Sequence, residues 1–181
     1  MKLIPNMTGK QRLVEFRIDN VSYGIDIDLV KEILMTWTMS PVSTFKKEIS
    51  GVICLRGDDI PVINIRHLLD DPDPDAPRSG QRIIIISTMN TMWKSFGLLV
   101  DSVSNVIEVL DQDPEEMNSS DPETFQPYVK KHVTGRILVD GVCIDTDDED
   151  IHPSAIWLNS DKLIDLIMKG CIHLEPKYPN I

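Results

Sequence analysis

The chain has 181 residues, an apolar fraction of 41% and a formal net charge of −11 at pH 7. That suits one ordinary domain, or two small subdomains sharing a core, and excludes wholesale disorder. The acidic balance also excludes nucleic acid and an anionic membrane surface as natural partners, because both need clustered Lys and Arg.

Met1 to Lys10 lacks the apolar run of a signal peptide, and no stretch approaches the roughly 20 apolar residues that cross a bilayer, so direct membrane insertion is not expected. Cys54, Cys143 and Cys171 are odd in number and far apart. They read as small buried hydrophobes in a reducing cytoplasm rather than as a disulfide framework.

Val14, Phe16 and Ile18 alternate with Glu15, Arg17 and Asp19, which predicts a strand with one dry and one wet face. Asp19-Asn20 supplies turn chemistry. Val21, Tyr23, Ile25 and Ile27 then alternate with Ser22, Gly24, Asp26 and Asp28, completing a hairpin. After Ile27 the period changes: Ile27, Val30 and Leu34, with Ile33 beside them, predict a short helical turn. Gly51 to Arg56 is an apolar strand, Gly57-Asp58-Asp59 a turn, and Ile60 to Arg66 the returning strand. Pro61 lacks an N–H and belongs at an edge or near the strand start. One helical turn is expected at His67 to Leu69.

Asp70 to Ser79 holds three prolines and four aspartates and reads as a solvated boundary between halves. The four consecutive isoleucines within Arg82 to Ser87 predict a strand buried on both faces, with Trp93 to Val100 returning. Pro114 to Pro127 is an irregular connection. Val133 to Val139, the Asp140-Gly141 turn and a strand near Ile156-Trp157-Leu158 follow. A helix then begins with Ser160 as N-cap and Asp161 in its first turn. It presents Leu163, Ile164, Leu166 and Ile167 on one face and stops at Gly170 after Lys169.

The chain repeats itself. Tyr23-Gly-Ile-Asp-Ile-Asp-Leu-Val30 matches Phe96-Gly-Leu-Leu-Val-Asp-Ser-Val103, and Ile33-Leu34 matches Val106-Ile107 at the same offset. The hairpin opening at Gly51 has a counterpart opening at Gly135. Each half is too small to bury much surface alone, so two small packed barrels with a groove at their junction are expected.

Catalytic signatures are not found: there is no G-x-S-x-G elbow, phosphate-binding glycine loop, H-E-x-x-H or C-x-x-C. His67, His132, His152 and His173 do not fall at metal-ligand spacing. Counting an EF-hand loop from Asp145 puts Asp150 at the glycine position and Ile156 at the glutamate position, so that pattern fails. No cofactor is expected. The acidic stretch 140–150 keeps one alternative open, a divalent-metal site or metal-dependent enzyme. Arg56, at the end of an apolar strand in an acidic protein, reads either as a surface arginine or as an interface anchor.

Tyr23 to Ile33, Ser50-Gly-Val-Ile-Cys-Leu-Arg-Gly57, Ile60-Pro-Val-Ile-Asn-Ile-Arg66 and Phe96 to Val103, in that order, resemble the CheW family of bacterial chemotaxis coupling proteins. The similarity runs from about Val14 to Leu166. It implies a mostly β fold of two SH3-like five-stranded barrels with short helices and a C-terminal helix. The expected domain spans 14–169, with subdomains near 14–70 and 80–169 that exchange strands, and a tail at 170–181. The resemblance further implies a cytoplasmic, non-catalytic adaptor between chemoreceptor tips and the regulatory domain of a CheA-type histidine kinase. Arg56 and Gly57 match the family's Leu-Arg-Gly motif. Val30 and Glu32 match positions on a receptor-binding groove, and Val100 and Val103 match its second-half side. Departures are Cys54 where Asn is usual, Asp58-Asp59 in place of a mostly apolar pair, Asn64 where Asp is common, and an acidic insertion at Val142 to Ser154.

Overall fold

Alternation of apolar residues builds the first hairpin: β1 (Arg12–Ile18) turns at Asp19-Asn20 and returns as β2 (Val21–Asp26), with Ile18 opposite Val21. The computed structural model describes residues 11–35, 37–43, 46–88, 93–109, 123, 125–139, 142–143 and 154–170. After β2 come a 3-10 turn at Ile27–Leu29, β3 (Val30–Leu34), β4 (Met39–Ser40), β5 (Ile49–Leu55), β6 (Asp58–Ile63) and a 3-10 turn at Ile65–Leu68. The remainder is β7 (Arg82–Ser87), β8 (Ser95–Val100), β9 (Ser102–Val109), a 3-10 turn at Gln126–Tyr128, β10 (Val129–Val139), β11 (Val142–Cys143), β12 (Ser154–Leu158) and α1 (Ser160–Gly170).

Several local expectations are corrected. The helical spacing of Ile27, Val30 and Leu34 is realised over only three residues. From Val30 the chain is extended, because pairing with β7 satisfies its backbone. The β5–β6 turn is Arg56-Gly57 rather than Gly57 to Asp59, and Asp58-Asp59 opens β6. The returning strand ends at Ile63. Asn64 then accepts the Arg66 N–H at 3.2 Å and starts the 3-10 turn ahead of His67. Asn159, not Ser160, caps the helix: its Oδ1 accepts the Lys162 N–H at 3.3 Å, while the Ser160 hydroxyl is buried without a partner. Asp140-Gly141, Asp145 to Asp150 and most of Pro114 to Pro127 lie outside the described residues.

Two sheets result. In one, β1 pairs β2 and β9, β9 pairs β10, β10 pairs β12, and β12 returns to β2, so five strands form a ring. The other runs β3-β7-β8-β6-β5-β4. Their plans correspond. The β1–β2 hairpin matches β7–β8, and each return strand meets a third strand in parallel, Tyr23 beside Ile156 and Gly97 beside Val62. The strand that follows each hairpin pairs with the other hairpin, β3 with β7 and β9 with β1. The second sheet is thus one continuous stretch of chain, from Val30 to Val100, set between the β1–β2 hairpin and the remaining strands of the ring. Pro61 lies within β6 opposite Val52, not at the strand start, and just ahead of Val62, where the β6–β8 pairing begins.

Alternation along the strands separates three apolar clusters. Ile84 and Ile86 join Phe16, Phe96, Leu98, Leu158 and the helix residues Leu163, Leu166 and Ile167 between the sheets. Ile83 and Ile85 face the other way, into the interior of their own sheet with Ile53, Ile60 and Val62. Leu13, Ile107, Val133 and Trp157 fill the ring. Four consecutive isoleucines thus serve two cores, as a strand buried on both faces requires. Among the described residues no helix is long and apolar enough to cross a membrane.

Candidate partner-binding surface

The turn between β5 and β6 has two residues, closing Leu55 onto Asp58. Arg56 has φ 52° and Gly57 φ 87°, both left-handed, and such turns match the twist of a two-stranded ribbon. A Cβ on Gly57 meets nothing within 4 Å, so the backbone angle rather than space calls for glycine. Arg56 holds a conformation that L residues disfavour by roughly 1–2 kcal/mol. The guanidinium is oriented by Glu32 of β3: Nη1 donates to Oε1 at 2.7 Å and Nη2 to Oε2 at 3.1 Å, across 24 residues of sequence. Arg56 remains 76% exposed and Glu32 27% exposed. A pair this wet contributes only about 0.2–1 kcal/mol to stability, so its main effect is to aim the arginine.

The strand β3 places Glu32 there. Its register against β7 shifts between Val30 and Glu32, a bulge that re-aims the following side chains. Ile33, 40% exposed, alternates with Glu32 and lies on the other face of the outer strand, and Met35, 67% exposed, follows the strand's end. These two escaped the sequence reading, because the helical spacing grouped Ile33 with core residues. The available signal was Ile33 and Met35 alternating with Glu32 and Leu34. Cys54, opposite Asp59, is also exposed, against the expectation of a buried hydrophobe.

The structure brings Arg56, Gly57 and Glu32 together. Val30 opposes Ile86 and Val103 opposes Phe16, and both valines pack against the cluster between the sheets. Val100 is 1% exposed and lies within that cluster. Among the described residues no group of three His, Cys, Asp or Glu side chains is placed to hold a metal ion.

Past the other end of β6 lies a charge cluster that the sequence did not reveal. Arg66 is 3% exposed; its Nη1 donates to Asp19 at 2.8 Å and to Asp71 at 2.7 Å, and its Nη2 donates to Asp101. Asp19 belongs to the β1–β2 turn, Asp101 to the junction of β8 and β9, and Asp71 to the following loop, where Arg78 also reaches it at 2.9 Å. Burial by itself lowers the affinity of Arg66 for its proton. The hydrogen bonds to Asp19, Asp101 and Asp71 outweigh it and raise the value. Burial likewise pushes Asp71 up, but the Asp73 N–H, Arg66 and Arg78 hold its carboxyl below the usual value.

Similar proteins share this architecture and its sequence. A chemotaxis protein CheW of Thermotoga maritima is 26% identical over 167 residues, 92% of this chain and 96% of that one. A probable chemotaxis protein CheW of Rhizobium etli is 33% identical over 133 residues, 73% of this chain and 80% of that one. The crystal structure of the scaffolding protein TtCheW from Thermoanaerobacter tengcongensis superposes with a TM-score of 0.59 at 23% identity, covering 83% of this chain and 89% of that one. The family model for the CheW-like domain matches residues 12–167, nearly the whole described fold, and the chain belongs to that family.

Proposed function

We propose that this chain is a cytoplasmic, non-catalytic adaptor that couples the tips of methyl-accepting chemoreceptors to the regulatory domain of a CheA-type histidine kinase. The observation that carries this reading is Arg56, exposed on a two-residue turn and fixed there by Glu32 of the outer strand. A preset, exposed guanidinium is suited to an interface hot spot. Receptor tips are helical hairpins, and an acidic side chain of such a tip would meet Arg56. Gly57 allows the turn, and Val30 and Val103 support the groove from the core. The rival reading, a divalent-metal site on the acidic stretch 140–150, draws no support from the family match. It predicts stoichiometric calcium or magnesium binding by calorimetry, which the adaptor reading does not.

Co-sedimentation of the chain with a receptor-tip fragment and a kinase regulatory-domain fragment tests the proposal. Both should bind at tens of micromolar or better, on the order of 6 kcal/mol. Arg56→Glu should abolish at least one contact while leaving the fold intact. Absence of both contacts in the unaltered protein overturns the coupling role.

A further inference from the structure

The two sheets are built alike, but they differ at a polar pair. On β3, Glu32 holds Arg56. The offset that aligns Tyr23–Val30 with Phe96–Val103 aligns Glu32 with Asn105 on β9. The counterpart of Gly51-Val-Ile-Cys-Leu-Arg-Gly57 reads Gly135-Arg-Ile-Leu-Val-Asp-Gly141, so an aspartate stands in sequence where the other repeat has Arg56. The ring therefore has no arginine of its own at that position.

It nevertheless has a carboxylate. Leu13 and Glu15 share one face of β1, and Leu13 lies in the apolar cluster inside the ring. Glu15 is 4% exposed. Its Oε1 accepts the Ser22 hydroxyl at 2.6 Å and its Oε2 accepts the Asn105 amide at 3.2 Å. Among the described residues no cation pairs with it. Arg17, the next residue on that face, is exposed and forms no ion pair with it. Two neutral donors leave half of a carboxylate's acceptor capacity open, and a buried anion without a counter-charge is costly.

There is also space. The strands β2 and β12 pair only at Tyr23–Ile156 and Gly24–Trp157. Beyond that point Val21 and Ser22 diverge from Ser154 and Ala155, opening a cavity of about 480 Å³ lined by Glu15, Arg17, Ser22, His132 and Ser154. Mouths of β-barrels are common places for binding sites.

We propose that this mouth receives a guanidinium or ammonium group, presented as an arginine or lysine side chain of a partner protein. That group would supply the counter-charge that Glu15 lacks among the described residues. The site is separate from the Arg56–Glu32 surface and does not depend on the function assigned to it. The internal competitor is Arg17, which lines the same cavity.

The test is a titration of the full chain with Nα-acetyl-arginine amide, followed by amide proton–nitrogen NMR, beside a parallel titration with the uncharged Nα-acetyl-citrulline amide. Saturable shifts at Ser22, Asn105 and Ala155 are expected with the arginine compound, at a Kd on the order of 1 mM, and none with citrulline. Glu15→Gln, which retains the shape of the side chain, should weaken the arginine response at least about tenfold. Equal responses to both compounds, or no saturable response in the unaltered protein, overturn the proposal. A response only after Arg17→Ala also overturns it, because Arg17 would then be the native counter-ion.

Discussion

Arg66 and Asp101 are 35 residues apart in sequence, yet the guanidinium of the first donates to the carboxylate of the second beneath the surface. Asp101 also accepts the Asp19 N–H at 2.7 Å, and its own N–H donates to the Arg17 carbonyl at 3.0 Å. The point where the chain leaves one sheet at Val100 and enters the other at Ser102 is therefore held by Arg66 and the first hairpin together. Removing the arginine takes the shared cation from the carboxylates of Asp19, Asp71 and Asp101, of which Arg78 still reaches only Asp71. Arg66→Leu should destabilise the fold by about 3 kcal/mol in urea denaturation. A loss below about 1 kcal/mol would mean that the cluster is as weak as a surface pair.

Acid should act on the same cluster. The folded-state value of Asp71 is depressed, so its contribution is present above the unfolded value of 3.8 and is lost as pH falls through the folded one. Urea midpoints measured from neutral pH downward should fall below about pH 4, where such carboxyls begin to protonate. In Asp71→Asn that acid limb should be shallower and the neutral-pH stability lower. An unchanged acid limb in the variant would remove Asp71 as a contributor.

The exposed pair of Arg56 and Glu32 predicts the opposite balance of effects. Arg56→Glu should change stability by no more than about 1 kcal/mol, because water already solvates most of the guanidinium. A thermal melt close to that of the unaltered protein, combined with loss of partner binding, would separate aiming the arginine from holding the fold. A large drop in Tm would show that the turn is structural.

Gly24 and Gly97 test the duplication. A Cβ on Gly24 meets Leu13 Cδ1 at 2.8 Å, and one on Gly97 meets Ile83 Cγ2 at 2.7 Å. Leu13 lies two residues before Glu15, the cross-strand neighbour of Gly24, and Ile83 lies two before Ile85, the neighbour of Gly97. Each alanine substitution should cost about 1–3 kcal/mol by overpacking. Gly57→Ala should cost about 1 kcal/mol for a different reason, its positive φ in open space. Equilibrium unfolding of the three variants distinguishes the two mechanisms, since only the first two disturb buried side chains.

Asn64 serves two backbone groups at once. Its Nδ2 donates to the Pro74 carbonyl at 2.8 Å while its Oδ1 caps the 3-10 turn. An aspartate retains the cap but cannot donate. Asn64→Asp should lose about 1 kcal/mol, read as a lower urea midpoint. Equal stability would show that the Pro74 contact is immaterial.

Alternation of apolar and polar residues was enough to place most strands and the final helix, because a period of two or of three to four is a local property. The repeat was equally legible, since Tyr23–Val30 and Phe96–Val103 keep one register. The Arg56–Gly57 segment stood out as an apolar strand meeting a turn. Which strands pair was decided only in three dimensions. Val30 to Leu34 carries helical spacing but extends, because β7 offers its backbone a ladder. That choice exposes Ile33 and Met35 and brings Glu32 to Arg56. Arg66 reads in sequence as an ordinary charged residue ending a strand. Its burial depends on carboxylates from Asp19, Asp71 and Asp101 arriving from three separate segments, and no local pattern records where those segments meet.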